Sequence, residues 1–167
     1  MQKWVNEIKQ NQAMEFIKKN IRLGFEFGGE TTKRKEKWQY PLPIIRELLL
    51  NAIVHRDYSN PTDIIIKIFD ENIEITNPGK LMGNLTVDKL KSGNYVSIHR
   101  NRLLTEAFYL TGDIEKYGTG FKRIHDWLKD YPNVSYEFIE LLNFIKLKIK
   151  TSTNDTLNDT LIDKNRY

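Results

Sequence analysis

The sequence predicts an α/β (α+β) two-layer sandwich, with a mixed sheet of about five strands covered by helices on one face. Three observations predict it. Segments with helical apolar spacing alternate along the chain with segments of period two, so helices are inserted between strands. The strand-like segments number about five and the helix-like ones four or five, a count that suits one sheet and one helical layer. One helix-like segment, residues 42–55, is apolar nearly all round, as a helix buried against a sheet must be.

The elements follow in order. Residues 3–20 form an amphipathic helix, with Trp4, Val5, Ile8, Phe16 and Ile17 among Lys, Glu, Asn and Gln. Ile21, Leu23, Phe25 and Phe27 alternate with polar or small residues as a strand, which Gly28 and Gly29 turn. The charged run Lys33–Lys37 reads as a solvated hairpin or loop. Pro41 or Pro43 suits the first turn of the helix that follows, where a missing N–H is no loss. Residues 63–69 are a β-branched strand, and Ile73–Thr76 is its partner, ended by Asn77-Pro78-Gly79. Residues 80–99 read as a loop with a short helix capped by Thr86. Asn101 caps a helix that stops at Gly112, and another helix spans about 119–130 with Phe121, Ile124, Trp127 and Leu128 on one face. Two strands, 134–139 and 144–149, close the domain.

Composition sets outer bounds. The chain has 167 residues, 40 % hydrophobic and 29 % charged, which suits one domain over residues 1–150. It has no cysteine, so disulfides, thiolate metal sites and cysteine nucleophiles are excluded. It has no run of about 18 apolar residues and no signal-peptide core at the N-terminus, which points to a cytoplasmic chain with no membrane partner. The net charge of +4 tolerates a polyanion without demanding one. Direct DNA binding through Lys33–Lys37 and Lys122-Arg123 is therefore the weaker reading of those residues. From Thr151 onward, eleven of 17 residues are Thr, Ser, Asn or Asp, and Asn-Asp-Thr-Leu occurs twice, so 151–167 is expected to be a disordered linker.

Chemistry concentrates at three places. On the apolar helix, Glu47 and Asn51 are four residues apart and share a face. A buried carboxylate and amide are costly without partners, so something sits over that stripe. A hydrated divalent cation is one candidate, because carboxylate and amide oxygens suit Mg²⁺, which also keeps water and phosphate oxygens. A neighbouring loop backbone is the other. His55, Arg56 and Asp57 read as a helix C-terminus, since no second histidine lies at ligand spacing. Gly118-Thr119-Gly120 opens a helix, where backbone N–H groups can take phosphate, or it is simply a turn. Arg100 and Arg102, at the start of the preceding helix, could reach an anion.

The order of these features is more specific than any one of them. It resembles the Bergerat nucleotide-binding fold of the GHKL ATPases (gyrase, heat-shock chaperones, histidine kinases, mismatch-repair proteins). The strings RELLLNAIVHRDYS, IEITNPGKL, HRNRLL and IEKYGTGFKRI are closer still to a domain of bacterial and archaeal transcriptional regulators, often labelled as related to the C-terminal part of an ATP-dependent DNA helicase. The resemblance covers about residues 40–130. It implies that Asn51 holds Mg²⁺ and that Glu47 activates the attacking water. It also implies that Asn77 and Gly79 form the first glycine box, and that Gly118, Thr119 and Gly120 form the second, beside phosphate. One position departs from the pattern: the first box normally carries an aspartate that accepts from the adenine amino group, and here Asn77 offers an uncharged amide oxygen. The resemblance further implies a middle module, usually flanked by a Schlafen/AlbA-type domain and a winged helix that supply the DNA contacts, with homodimerisation within its scope. Two functions follow: an ATP-binding or sensing module of a transcriptional regulator with weak ATP hydrolysis, or a degenerate scaffold without nucleotide that dimerises or spaces flanking DNA-binding domains.

Overall fold

Helix and strand alternate along the chain in the computed structural model, whose described residues are 2–27, 34–93, 95–96, 98–112 and 120–152. In order they are α1 (Gln2–Asn20), β1 (Leu23–Phe27), β2 (Arg34–Trp38), α2 (Leu42–His55), β3 (Ile65–Ile68), β4 (Asn72–Pro78), α3 (Val87–Ser92), α4 (Arg102–Leu110), α5 (Gly120–Leu128), β5 (Val134–Leu141) and β6 (Phe144–Thr151). The expected linker lies outside the described residues from 153 onward. Among the described residues no helix is long and apolar enough to cross a membrane.

The α/β sandwich class holds, and the strands within it divide differently from the expected single mixed sheet of about five. β1 and β2 form their own two-stranded sheet, and the other four run in the order β3-β4-β6-β5. Every pairing is antiparallel. The reason is local. β3–β4 and β5–β6 are hairpins closed by short turns, and the two hairpins join through β4 and β6. The β1–β2 hairpin does not extend this ladder; the Gln39 amide Nε2 and the Arg22 guanidinium donate to Asp70 O in the β3–β4 turn (2.7 and 3.4 Å). The described part of the charged run 33–37 is strand β2, the hairpin of the two expected outcomes.

β4 runs one step further than its proline suggested. Pro78 pairs with Phe144, and the Asp57 N–H donates to the Pro78 carbonyl (2.8 Å). In a strand the N–H and C=O of one residue face the same edge, so the proline's missing N–H lies on the side beyond the end of β3, where no ladder bond is lost.

α2 is apolar all round because it is buried on two sides. Ile44, Ile45, Leu48, Leu49 and Ala52 pack with Ile17, Ile73, Ile75, Ile124, Leu147 and Ile149 in the main core. Leu50, Ile53 and Val54 pack with Phe108 of α4 in a second cluster. The opposite sheet face is charged: Lys146 and Lys148 both bond Glu74 (3.0 and 3.2 Å), and Lys150 bonds Glu137.

Asn101 stands at the N-cap position of α4 without capping it. Its amide instead donates to the carbonyls of Val54 and Arg56 (2.9 and 2.8 Å), tying the C-terminus of α2 to the start of α4. Thr86 does cap α3, accepting from Lys89 N at 3.3 Å, and Gly93 ends that helix at φ 69°.

Candidate functional site

The inner face of β4, the polar stripe of α2 and the chain from Lys80 to Arg100 enclose a cavity of about 160 Å³. Glu47 and Asn51 reach it from α2, Asn77 and Gly79 from the end of β4, Arg100 from the segment before α4, and Gly120 from the first residue of α5. The remaining expected residues, Gly118 and Thr119, lie outside the described residues. The walls are otherwise mainly apolar, with Leu48, Ile75, Phe138, Ile145 and Leu147 from the helix and sheet, and Leu81, Met82, Leu85, Leu90 and Ile98 from the covering segment.

Asn77 sits here because of strand period two. Ile73, Ile75 and Asn77 face inward, whereas Glu74 and Thr76 face the charged side. The Asn77 side chain is 9 % exposed, and its Oδ1 has no hydrogen-bond partner among the described residues. A buried amide left unpaired costs about 1–3 kcal/mol, so this one is poised for a ligand group or water. Gly79, at φ +114°, adopts a backbone that side chains rarely take, and a Cβ there would lie 3.1 Å from Asp57 Cβ and 3.3 Å from an Arg100 nitrogen. That close approach seats Arg100, whose guanidinium donates to Lys80 O (2.7 Å) and faces the Asp57 carboxylate at 3.8 Å. Arg102, the other arginine expected near an anion, is exposed and does not line the cavity.

Glu47 is 7 % exposed and not idle. Arg123 of α5 donates to its Oε2 at 2.8 Å, and Asn51 Nδ2 donates to its Oε1 at 3.3 Å. A Cβ at Gly120 would overlap Glu47 Oε1, so the carboxylate lies directly against the first residue of α5. The glycine expected to let phosphate approach a helix N-terminus thus admits a carboxylate of the chain itself, which the positive end of the helix dipole favours equally well. Among the described residues, an arginine partners the polar stripe. Arg123 was hidden in the sequence because it is 76 residues from Glu47 and stands beside Lys122, a pair weighed there only for DNA contact.

His55 stacks on His99, with centroids 5.8 Å apart and an interplanar angle of 23°. Burial first, then the positive charges of His99 and Arg100, push His55 from 6.5 down to about 4. Burial and Arg102 lower His99 as well. Asp57 is held below its ordinary value mainly by hydrogen bonds from Ser59, with Arg100 adding to the effect.

Among the described residues no group of three or more His, Asp or Glu side chains could hold a metal. One amide and one carboxylate in contact are too few for a cage of protein ligands alone. They match a cation that takes most of its ligands from water and phosphate.

Comparison with known proteins adds three findings. Residues 62–149 match the family described as "Putative ATP-dependent DNA helicase recG C-terminal". That span holds Asn77, Gly79, Arg100 and Gly120 and begins after α2, so Glu47 and Asn51 stand outside it. No curated protein matches the chain. Among solved structures, the DIP2311 protein from Corynebacterium diphtheriae has a similar fold, with a TM-score of 0.74 and 17 % identity over 85 % of this chain. The chain spans 28 % of the length of that protein.

Proposed function

The chain belongs to the recG C-terminal family by its match over residues 62–149, and from that premise we propose that it is an ATP-binding or sensing module of a transcriptional regulator, built on a Bergerat-type fold. The observation that carries the proposal is the convergence of Glu47, Asn51, Asn77, Gly79, Arg100 and Gly120 on one largely apolar cavity. An apolar pocket with a few convergent polar groups is the usual form of a small-molecule site.

In this proposal Asn51 holds Mg²⁺ through its amide oxygen, and the cation supplies electrostatic stabilisation of phosphate charge. Arg100 adds a fixed positive charge at the mouth of the first glycine box. Arg123 orients Glu47 through their ion pair, so that its carboxylate can take a proton from water in a weak hydrolysis. DNA is read by domains that flank this chain, in a cytoplasmic protein.

A second reading has its own support. Glu47 is already ion-paired and Asn51 already bonded to it, which suits a scaffold that dimerises or spaces flanking domains without nucleotide.

Melting curves with and without Mg-ATP separate the two. A ligand at a hundred times its Kd stabilises the folded state by about 2.7 kcal/mol, worth several degrees in a chain of this size. Asn51→Ala should erase that shift while costing the unliganded protein about 1 kcal/mol or less, since its hydrogen bond to Glu47 is long (3.3 Å). A wild-type melting temperature indifferent to Mg-ATP would overturn the nucleotide proposal in favour of the scaffold.

A further inference from the structure

On the reading that this cavity takes a nucleotide, we propose that it accepts 6-amino and 6-oxo purines alike, with the Asn77 amide reading the base edge. Two observations carry this. The Asn77 side chain is nine-tenths buried on the inner face of β4, with Oδ1 unpaired among the described residues, so its hydrogen-bonding capacity is reserved for what enters. The surfaces nearest to it along the sheet, Ile75, Ile145 and Leu147, are apolar and carry no group that could tell one base edge from another.

A side-chain amide offers an acceptor and two donors on one planar group. A 6-amino purine presents a donor at position 6 beside an acceptor at N1. A 6-oxo purine presents the reverse, an acceptor at position 6 beside a donor at N1. Among the described residues no hydrogen bond holds the Asn77 amide in one orientation, and the terminal torsion of asparagine is soft and nearly two-fold. Turning the amide over exchanges its oxygen and nitrogen, so one side chain meets either edge with its polar atoms paired. A carboxylate at the same place could only accept. It would take the one donor of either edge and leave its second oxygen facing an acceptor, a mismatch with both purines that the amide avoids. Selectivity is thus for purines that carry a hydrogen-bonding group at position 6, rather than for adenine.

The experiment is isothermal titration of the full 167-residue chain with Mg-ATP, Mg-ITP and the Mg complex of purine riboside triphosphate, which lacks the 6-substituent. ITP differs from ATP only along the edge in question. The wild type should bind ATP and ITP within about tenfold of each other and bind purine riboside triphosphate at least about tenfold more weakly, because Asn77 then loses a partner. Asn77→Asp should weaken ATP and ITP alike, by about tenfold or more, because one carboxylate oxygen then faces an acceptor on either edge. The wild-type titrations decide the matter without the variant, should the buried aspartate prevent folding. ATP binding with ITP at least a hundredfold weaker would overturn dual recognition and leave the nucleotide site standing. Equal affinity for all three would remove Asn77 as the reader. No binding of any of them would overturn both the nucleotide site and this inference.

Discussion

Replacing His55 with glutamine should flatten the acid side of the stability curve. His55 closes α2 against His99 and is neutral in the fold, with its pKa pushed from 6.5 to about 4 by burial and by the charges of His99 and Arg100. The unfolded chain therefore binds a proton between those values that the folded chain refuses. Stability from this group is complete above about pH 6.5 and is lost as pH falls toward 4. The full difference is about 3 kcal/mol, of which about 2 kcal/mol is gone at pH 5. His99, also lowered, acts in the same direction. Asp57 contributes only below its ordinary value of 3.8, outside that window. Urea denaturation at pH 7 and pH 5, followed by tryptophan fluorescence, measures the effect. The wild type should lose about 2 kcal/mol more than His55→Gln between the two pH values. Equal losses in the two proteins would refute a neutral, desolvated His55.

Three further outcomes follow from contacts described above. Gly120→Ala should destabilise the wild type by about 1–3 kcal/mol through overlap with the Glu47 carboxylate, yet stabilise a Glu47→Ala protein by up to about 1 kcal/mol through helix propensity; the same sign in both backgrounds by urea melts would contradict the close packing. Asn101→Ala should cost about 1–3 kcal/mol by stranding the carbonyls of Val54 and Arg56, and protease susceptibility at the end of α2 should rise with it. Arg123→Met should strip buried Glu47 of the Arg123 countercharge and destabilise the protein more than Arg102→Met, whose side chain is exposed; comparable melting temperatures would mean that the Glu47–Arg123 pair is incidental.

The parts of this molecule that could be read from sequence are those whose causes are local. α2 announced itself by a run of apolar residues with one polar stripe, and the structure explains that run by two separate cores on its two sides. The β3–β4 and β5–β6 strands were legible from alternation and turn residues. What was hidden depends on distant pairing. Nothing near Glu47 in sequence names Arg123, and nothing near His55 names His99. The single mixed sheet was expected because periodicity reveals strands and says nothing of their neighbours, so the separation of β1–β2 had no local signature. Asn101 was a plausible cap by type, and it serves another helix because two open carbonyls lay closer to hand.

The lysine–glutamate face of the four-stranded sheet never touches the cavity, yet it grips the two strands whose register decides what lines the cavity. A slip of β4 against β6 by two residues would keep apolar side chains inward and satisfy the hydrophobic core almost as well. It would carry Asn77 a full step along the groove and put another side chain in its place. In the observed alignment Lys146 and Lys148 grip Glu74, and the Gly79 N–H meets the Asn143 carbonyl in the β5–β6 turn. Like the teeth behind a vernier, these contacts help hold the scale on the far side at its mark. Glu74→Gln in high salt should loosen that grip and lower the stability of the four-stranded sheet.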